Sequence, residues 1–357
     1  MSAALGETRL KEALQFGRLS RASDIHLHTG FPPVFRVDGK LSAQSTVAIA
    51  EGEIEAMLHA TLDAPARKQL HGVGDVSVRH ADSGAGDVRI HAYRTFNGNA
   101  LAVRLLFKGM PKMESLQLPR ALEDLSRAAH GLVIVSGPTG SGKTTALAAV
   151  VDHINATQAK HIVTIEDPIE YRHDNARSVV DQREVGKDVA SFAAAVVGVL
   201  RCDPDVIVVG EMRDASTISA TLLAAETGHL VFATMHTADA AQTIDRITGA
   251  FDGAAQMQAR VQLAQSLLGV ICMRLIPRAR AAGRRCAAEV LLANQAVRAL
   301  IRDGRTHQLR NVMVTSGHSG MQTLESHLRD LVVRGEVAAQ EAAAATEQLD
   351  DIGSPTP

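Results

Sequence analysis

Residues 132–144 read Leu-Val-Ile-Val-Ser-Gly-Pro-Thr-Gly-Ser-Gly-Lys-Thr. Four apolar residues that favour a strand run directly into Gly137, Pro138, Thr139, Gly140, Ser141, Gly142, Lys143 and Thr144, which fill the pattern G-x-x-x-x-G-K-[ST]. From Thr145 a helical pattern continues to residue 155. A strand, a glycine-rich turn and a helix in that order aim backbone N–H groups and the positive helix end at phosphates. Lys143 is placed to reach the β- and γ-phosphates, and the Thr144 hydroxyl to ligate Mg²⁺. The stretch therefore predicts an α/β nucleotide-binding domain that takes ATP with Mg²⁺.

Outward from this loop, apolar runs at 161–165, 206–209 and 230–233 alternate with helical segments, as in βαβ units of a parallel sheet. Polar residues stand at the carboxyl ends of those runs, where open α/β sheets bind ligands. Glu166, Asp167 and Glu170 offer carboxylates able to orient a water that attacks the γ-phosphate. Glu211 ends the run 206–209 in the manner of a Walker B element, although Gly210 stands where an Asp is usual. Asp205 is expected at the far end of that strand. His229 and His236 bracket the last run, and a histidine at a strand end can sense a γ-phosphate by hydrogen bonding. Taken singly, each segment also reads as ordinary structure: an acidic turn, a strand-end glutamate, two of 15 histidines.

Before residue 110 the character changes. Stretches 24–28, 34–37, 76–80, 88–93 and 100–106 read as strands, 53–62 as a helix, and Asp38-Gly39 as a hairpin turn. The resulting organisation is a small α+β domain (1–108), a linker (109–119), an ATPase core (120–277) and a helical, alanine-rich carboxyl region (278–357). That last region shows its helical pattern from about residue 254 and ends in a frayed tail at 350–357. The prolines and glycine of 108–119 also mark it as a hinge.

Composition narrows the functional classes. A formal charge of -2 over 357 residues, with 3% aromatics, gives no case for nucleic acid. Cys202, Cys272 and Cys286 stand far apart with no C-x-x-C pair, which predicts reduced thiols. The most apolar stretch, 190–200, is too short to cross a bilayer, and the amino terminus has no signal pattern. These features predict a cytoplasmic protein without direct membrane insertion.

In order and wording these segments resemble the secretion ATPase superfamily, and within it the PilT-type retraction ATPases of type IV pili. T-I-E-D-P-I-E-Y is similar to that family's Asp box, V-I-V-V-G-E-M-R-D to its Walker B segment, and G-H-L-V-F-A-T-M-H-T to its His box. The opening stretch 22–39 resembles its PAS-like amino-terminal domain. The resemblance covers about residues 10–340 and implies a RecA-like P-loop domain between that PAS-like domain and a helical carboxyl region. It implies Glu170 as catalytic glutamate, Glu211 as support for Mg²⁺, and His229 and His236 as the His-box pair. It further implies a homohexamer with ATP at the subunit seams, where Arg89 and Arg104, with Arg94 nearby, complete a neighbour's site. Partners implied are an inner-membrane pilus platform protein and a paralogous retraction ATPase, with the motor at the cytoplasmic face of that membrane.

Residues 296–303, A-V-R-A-L-I-R-D, resemble the A-I-R-N-L-I-R-E element associated with retraction, departing at Val297, Ala299 and Asp303. Val297 and Asp303 are conservative departures, whereas Ala299 replaces a polar residue. Physically this is an amphipathic helix with Val297, Leu300 and Ile301 on one face and Arg298 and Arg302 on another. Gly320-Met321-Gln322-Thr323-Leu324 is also close to the family's wording. Other readings stay open: a PilU-like accessory ATPase, a type II or IV secretion ATPase, and a nucleotide-gated regulator without turnover.

Overall fold

The computed structural model describes residues 2–37, 39–43, 45–82, 86–105 and 109–346. Asp38, Leu106, Lys108 and the expected tail at 350–357 lie outside the described residues. The chain divides into two compact units, Met1–Gly109 and Met110–Pro357.

The first unit contains α1 (Ser2–Leu19), β1 (Asp24–His28), β2 (Val34–Val37), β3 (Lys40–Ala43), α2 (Glu51–Thr61), α3 (Ala64–Val73), β4 (Asp75–Asp82), β5 (Gly86–Thr95) and β6 (Gly98–Leu105). Its strands form one antiparallel sheet in the order β3-β2-β1-β6-β5-β4. Alternation decides which face is buried. Ile25, Leu27, Val88, Ile90, Leu101 and Val103 point into a core closed by Leu10 and Leu14 of α1 and Ile54 and Met57 of α2. The two helices cross closely at Gly6, where a Cβ would come within 2.6 Å of the Ala56 methyl.

The second unit opens with α4 (Met113–Leu116), α5 (Arg120–Leu125), β7 (Gly131–Ser136), α6 (Lys143–Thr157), β8 (His161–Glu166), β9 (Val179–Glu184) and α7 (Phe192–Val199). It continues through β10 (Val206–Val209), α8 (Ala215–Glu226), β11 (Leu230–Met235), α9 (Ala240–Thr248) and α10 (Gly253–Ser266). After these come β12 (Leu267–Pro277), β13 (Arg284–Leu292), α11 (Gln295–Arg302), α12 (Leu309–Thr315), α13 (Leu324–Val333) and α14 (Ala339–Ala344). The seven strands lie in the order β13-β12-β7-β11-β10-β8-β9, parallel except for the β12–β13 pair. Both faces of the central strands are covered, which explains their unbroken apolar runs. Leu132 and Ile134 pack under α7–α11, and Val133 and Val135 under α6.

Two expectations need correction. Residues 267–292, read as helical, form β12 and β13 of the main sheet. Alanine-rich runs such as Cys286-Ala287-Ala288 lack strand alternation because both faces are buried, yet Val270, Ile271, Ile276 and Val290 supply the β-branched packing. Residues 110–119 are not a free linker either: Met113 is buried, Lys112 pairs with Asp152 at 2.6 Å, and Arg285 donates to the Gln117 carbonyl at 2.9 Å. Edge strand β9, two valines followed by four polar residues, gives no clear apolar run.

The expected amphipathic helix is α11, with Val297, Leu300 and Ile301 buried. Arg298 is not on a merely solvated face: it donates to the Ala264 and Gln265 carbonyls at 2.5 and 2.7 Å, closing the end of α10. Gln322 pairs its backbone with Val290 on β13, and Thr323 caps α13 by accepting from the Ser326 N–H.

On β13, Glu289 is buried and accepts the Ala240 N–H at the start of α9 at 2.8 Å. Burial pushes its carboxyl up to about 7, the Ala240 N–H opposing and the Asp239 and Glu325 charges assisting. A raised carboxyl favours the folded state below its ordinary range and forfeits that contribution as pH rises through about 7. Urea unfolding should therefore show wild type losing more stability than Glu289→Gln between pH 5.5 and 8.5; parallel losses would contradict the shift.

Candidate functional site

The site is built on the turn from β7 to α6. At Gly137, with φ +143°, a Cβ would lie 2.4 Å from the Met273 carbonyl oxygen, so backbone from β12 closes the loop against any side chain. Gly142 caps α6 in the left-handed region, φ +92°. Ser141 is buried, and its Oγ has no hydrogen-bond partner among the described residues, a polar group directed within the phosphate-type turn. Thr144 is exposed on the first turn of α6. Lys143 donates to the Gly137 and Pro138 carbonyls at 2.7 and 3.0 Å and lies 3.4 Å from His236 Nδ1. Burial lowers its pKa, partly offset by the charge of Glu211.

Glu211 sits just beyond β10. Its Oε2 lies 2.7 Å from Arg213 and its Oε1 3.3 Å from His236 Nε2. Burial works to raise this carboxyl, but the Arg213 hydrogen bond and the His236 and Arg213 charges outweigh it and hold it below the usual range. The imperfect Walker B element has a steric cause. A Cβ at Gly210 would lie 2.9 Å from the Ile165 carbonyl oxygen and 3.4 Å from the Glu166 Cα, so the sheet leaves no room for an aspartate. Asp205 stands at the opposite strand end as expected, bound to Lys160 and the His161 N–H.

The acidic segment after β8 separates into distinct environments. Glu166 is locked by the Thr164 hydroxyl at 2.7 Å and the Gln182 amide at 3.0 Å, and burial raises its pKa against both. Its oxygens are committed to the fold, unlike those of a base facing a phosphate. Asp167 is exposed and Glu170 half-buried. The next residue, Tyr171, reaches from its hydroxyl to Thr145 Oγ1 on α6 at 3.0 Å.

The two histidines part company. His236, at the carboxyl end of β11, joins Lys143 and Glu211. His229 precedes the six residues of β11, roughly 20 Å away at strand rise, with Nδ1 facing the Ala224 carbonyl at 3.0 Å. It belongs to the α8–β11 turn and not to the Lys143–Glu211 cluster. Arg89 and Arg104 face each other across β5 and β6 of the first unit, and Arg104 pairs with Asp24 at 2.9 Å. Arg94 lies farther along β5, opposite Asn99.

Sequence reasoning assigned no role to Arg213, although it stands two residues after Glu211, nor to the pairing of Thr145 with Tyr171. It also passed over Ser136, whose buried hydroxyl lies 2.8 Å from the Thr237 carbonyl and 3.1 Å from its N–H. Beside the cluster, a cleft of about 550 Å³ is lined by Arg213, His236, Thr237, Gln242 and Arg246.

These residues fit a nucleotide with Mg²⁺. Among the described residues no group of three or more His, Cys, Asp or Glu could hold a metal alone. Mg²⁺ on a nucleotide uses phosphates, water and one or two protein ligands, and here Thr144 and the ionised Glu211 are suited to that part. Among the described residues no helix is long and apolar enough to cross a membrane.

The sequence profile of the type II/IV secretion system protein family matches residues 4–344. The type IV pilus retraction ATPase PilT of Pseudomonas aeruginosa is 38% identical over 93% of this chain and 96% of its own. The type IV pilus ATPase PilU of the same organism is 33% identical over 92% and 86%. A crystal structure of the pilus retraction motor PilT with bound ADP superposes with a TM-score of 0.84 at 39% identity, covering 95% of this chain and 96% of that one. The α/β fold with its antiparallel first sheet and mostly parallel second sheet is thus shared along the length of that motor. The chain belongs to the type II/IV secretion system protein family and is an ATPase of its PilT/PilU group.

Proposed function

We propose that this protein is the Mg²⁺-dependent ATPase motor of type IV pilus retraction, acting as a homohexamer at the cytoplasmic face of the inner membrane. The observation that carries this reading is its likeness to the retraction ATPase through both units. Phosphates would rest on the turn Gly137–Thr145, with Lys143 leaving the Gly137 and Pro138 carbonyls for the γ-phosphate. Mg²⁺, held by Thr144 and Glu211, would supply charge to the phosphates. Glu170 would orient the attacking water; positioning and charge stabilisation then account for most of the rate. His236 touches both Lys143 and Glu211 and so suits a sensor of the γ-phosphate. His229 is assigned a place outside this chemistry.

Arg89 and Arg104 would act on a neighbouring copy's nucleotide. Both guanidinium groups stand in one row of the first unit's sheet, and an arginine delivered from another subunit adds charge only when the ring takes the right shape. The platform protein of the inner membrane would receive the motion, with a paralogous retraction ATPase as a second partner. A PilU-like accessory role is the alternative, favoured by Ala299 in the retraction-type helix.

Steady-state phosphate release should fall at least about 10²-fold in Lys143→Ala, Glu170→Gln and Glu211→Ala, with folding preserved. Wild-type turnover in any one of them removes that residue from the site. In cells lacking the gene, labelled pili should be abundant and fail to shorten. Bare cells would identify an extension motor, and unchanged pili an accessory or secretion ATPase.

A further inference from the structure

The loop carrying Glu170 is tied down at both ends. At its entry, Glu166 Oε1 accepts from Thr164 and from the Gln182 side-chain amide. At its exit, the same amide donates to the Tyr171 carbonyl at 2.8 Å, while Gln182 Oε1 accepts the His173 N–H at 2.9 Å. One side chain on β9 thus fixes both ends of the loop against the sheet. A further tie crosses to another element: the buried Tyr171 ring places its hydroxyl 3.0 Å from Thr145 Oγ1. Thr145 follows Thr144 on the first turn of α6, directly behind the phosphate turn.

We infer that the Tyr171–Thr145 hydrogen bond is a positioning latch, setting the Glu170 carboxylate relative to the phosphate loop. The inference rests on the proposed role of Glu170. Glu170 and Tyr171 are consecutive, so a shift of the Tyr171 anchor moves the Glu170 backbone directly. Without the latch, Gln182 still registers the loop to β8 and β9, while Asn155 of α6 holds the chain farther on, donating to the Asp174 carbonyl and accepting the Ala176 N–H. The two groups that must meet at the γ-phosphate ride on those separate elements. Burial, against the Thr145 hydrogen bond, pushes the Tyr171 phenol up to about 12, so the hydroxyl keeps its proton through the physiological range. Thr145 accordingly serves the site by holding Tyr171.

The test is steady-state ATP hydrolysis by the full-length protein. Tyr171→Phe and Thr145→Val should each lower kcat about 10-fold to 10²-fold, the size expected for a displaced reacting group, and in Tyr171→Phe KM for ATP and ADP affinity should be unchanged. The double variant should be no slower than either single one, and Thr145→Ser should recover most of the turnover lost in Thr145→Val. Tyr171→Phe added to Glu170→Gln should cost nothing further. A wild-type kcat in Tyr171→Phe alongside an inactive Glu170→Gln overturns the latch while leaving Glu170 in place. Raised KM with kcat retained, or losses that multiply in the double variant, overturns it as well. Turnover retained in Glu170→Gln removes the base and with it any purpose for the latch. Thr145→Val probes the same bond from α6, so a folding defect in one variant does not mask the result.

Discussion

The buried hydroxyl of Ser136 joins the ends of β7 and β11, lying within bonding distance of both the carbonyl and the N–H of Thr237. Thr237 passes the connection on to Thr243 of α9 at 2.7 Å. Such bonds are costly to break away from water, because each partner would be left unsatisfied in a low-dielectric interior. Ser136 immediately precedes Gly137 and Thr237 immediately follows His236. The phosphate turn and the histidine are therefore held in register by the β7–β11 ladder together with this buried contact at its end. A parallel sheet places strand ends together, and this contact decides how they line up in detail.

Steric exclusion shapes the same region. Backbone carbonyls from β12 and β8 press against Gly137 and Gly210, so neither position has space for a Cβ. At Gly137 the result is a phosphate turn packed against the sheet. At Gly210 it is the loss of the usual Walker B aspartate, which leaves Glu211 as the carboxylate at that strand end. Glu211 in turn draws Arg213 and His236 to its two oxygens, and the imperfect motif is a consequence of close strand packing.

Much of this was legible in the sequence because it follows from local rules. The phosphate turn has fixed spacing, central strands buried on both faces must be apolar throughout, and α11 shows helical periodicity. Strands β12 and β13 were missed for the opposite reason: alanine and cysteine suit a helix or a doubly covered strand equally, and only the partner strand decides. Glu211 and His236 could be placed from strand ends, and the rule that puts Asp205 at the far end of β10 puts His229 at the far end of β11 as well. The tie of Glu166 to Gln182 and those of Tyr171 and Arg298 run to residues 11 to 34 positions away along the chain, and no short pattern encodes such contacts.

The hydrogen-bond inventory of His236 gives the cluster a direction. Lys143 Nζ lies 3.4 Å from Nδ1, and Glu211 Oε1 lies 3.3 Å from Nε2, so both ring nitrogens are in contact with the cluster. If Lys143 moves toward a phosphate oxygen, the contact at Nδ1 is lost and with it one of the ring's two restraints. The ring is followed in the chain by Thr237, whose hydroxyl reaches α9, so a change at the lysine is felt first at the start of that helix. Glu289 accepts the Ala240 N–H at the same helix start from β13. Lys143 and the start of α9 are thereby connected through adjacent residues, without a long relay of side chains.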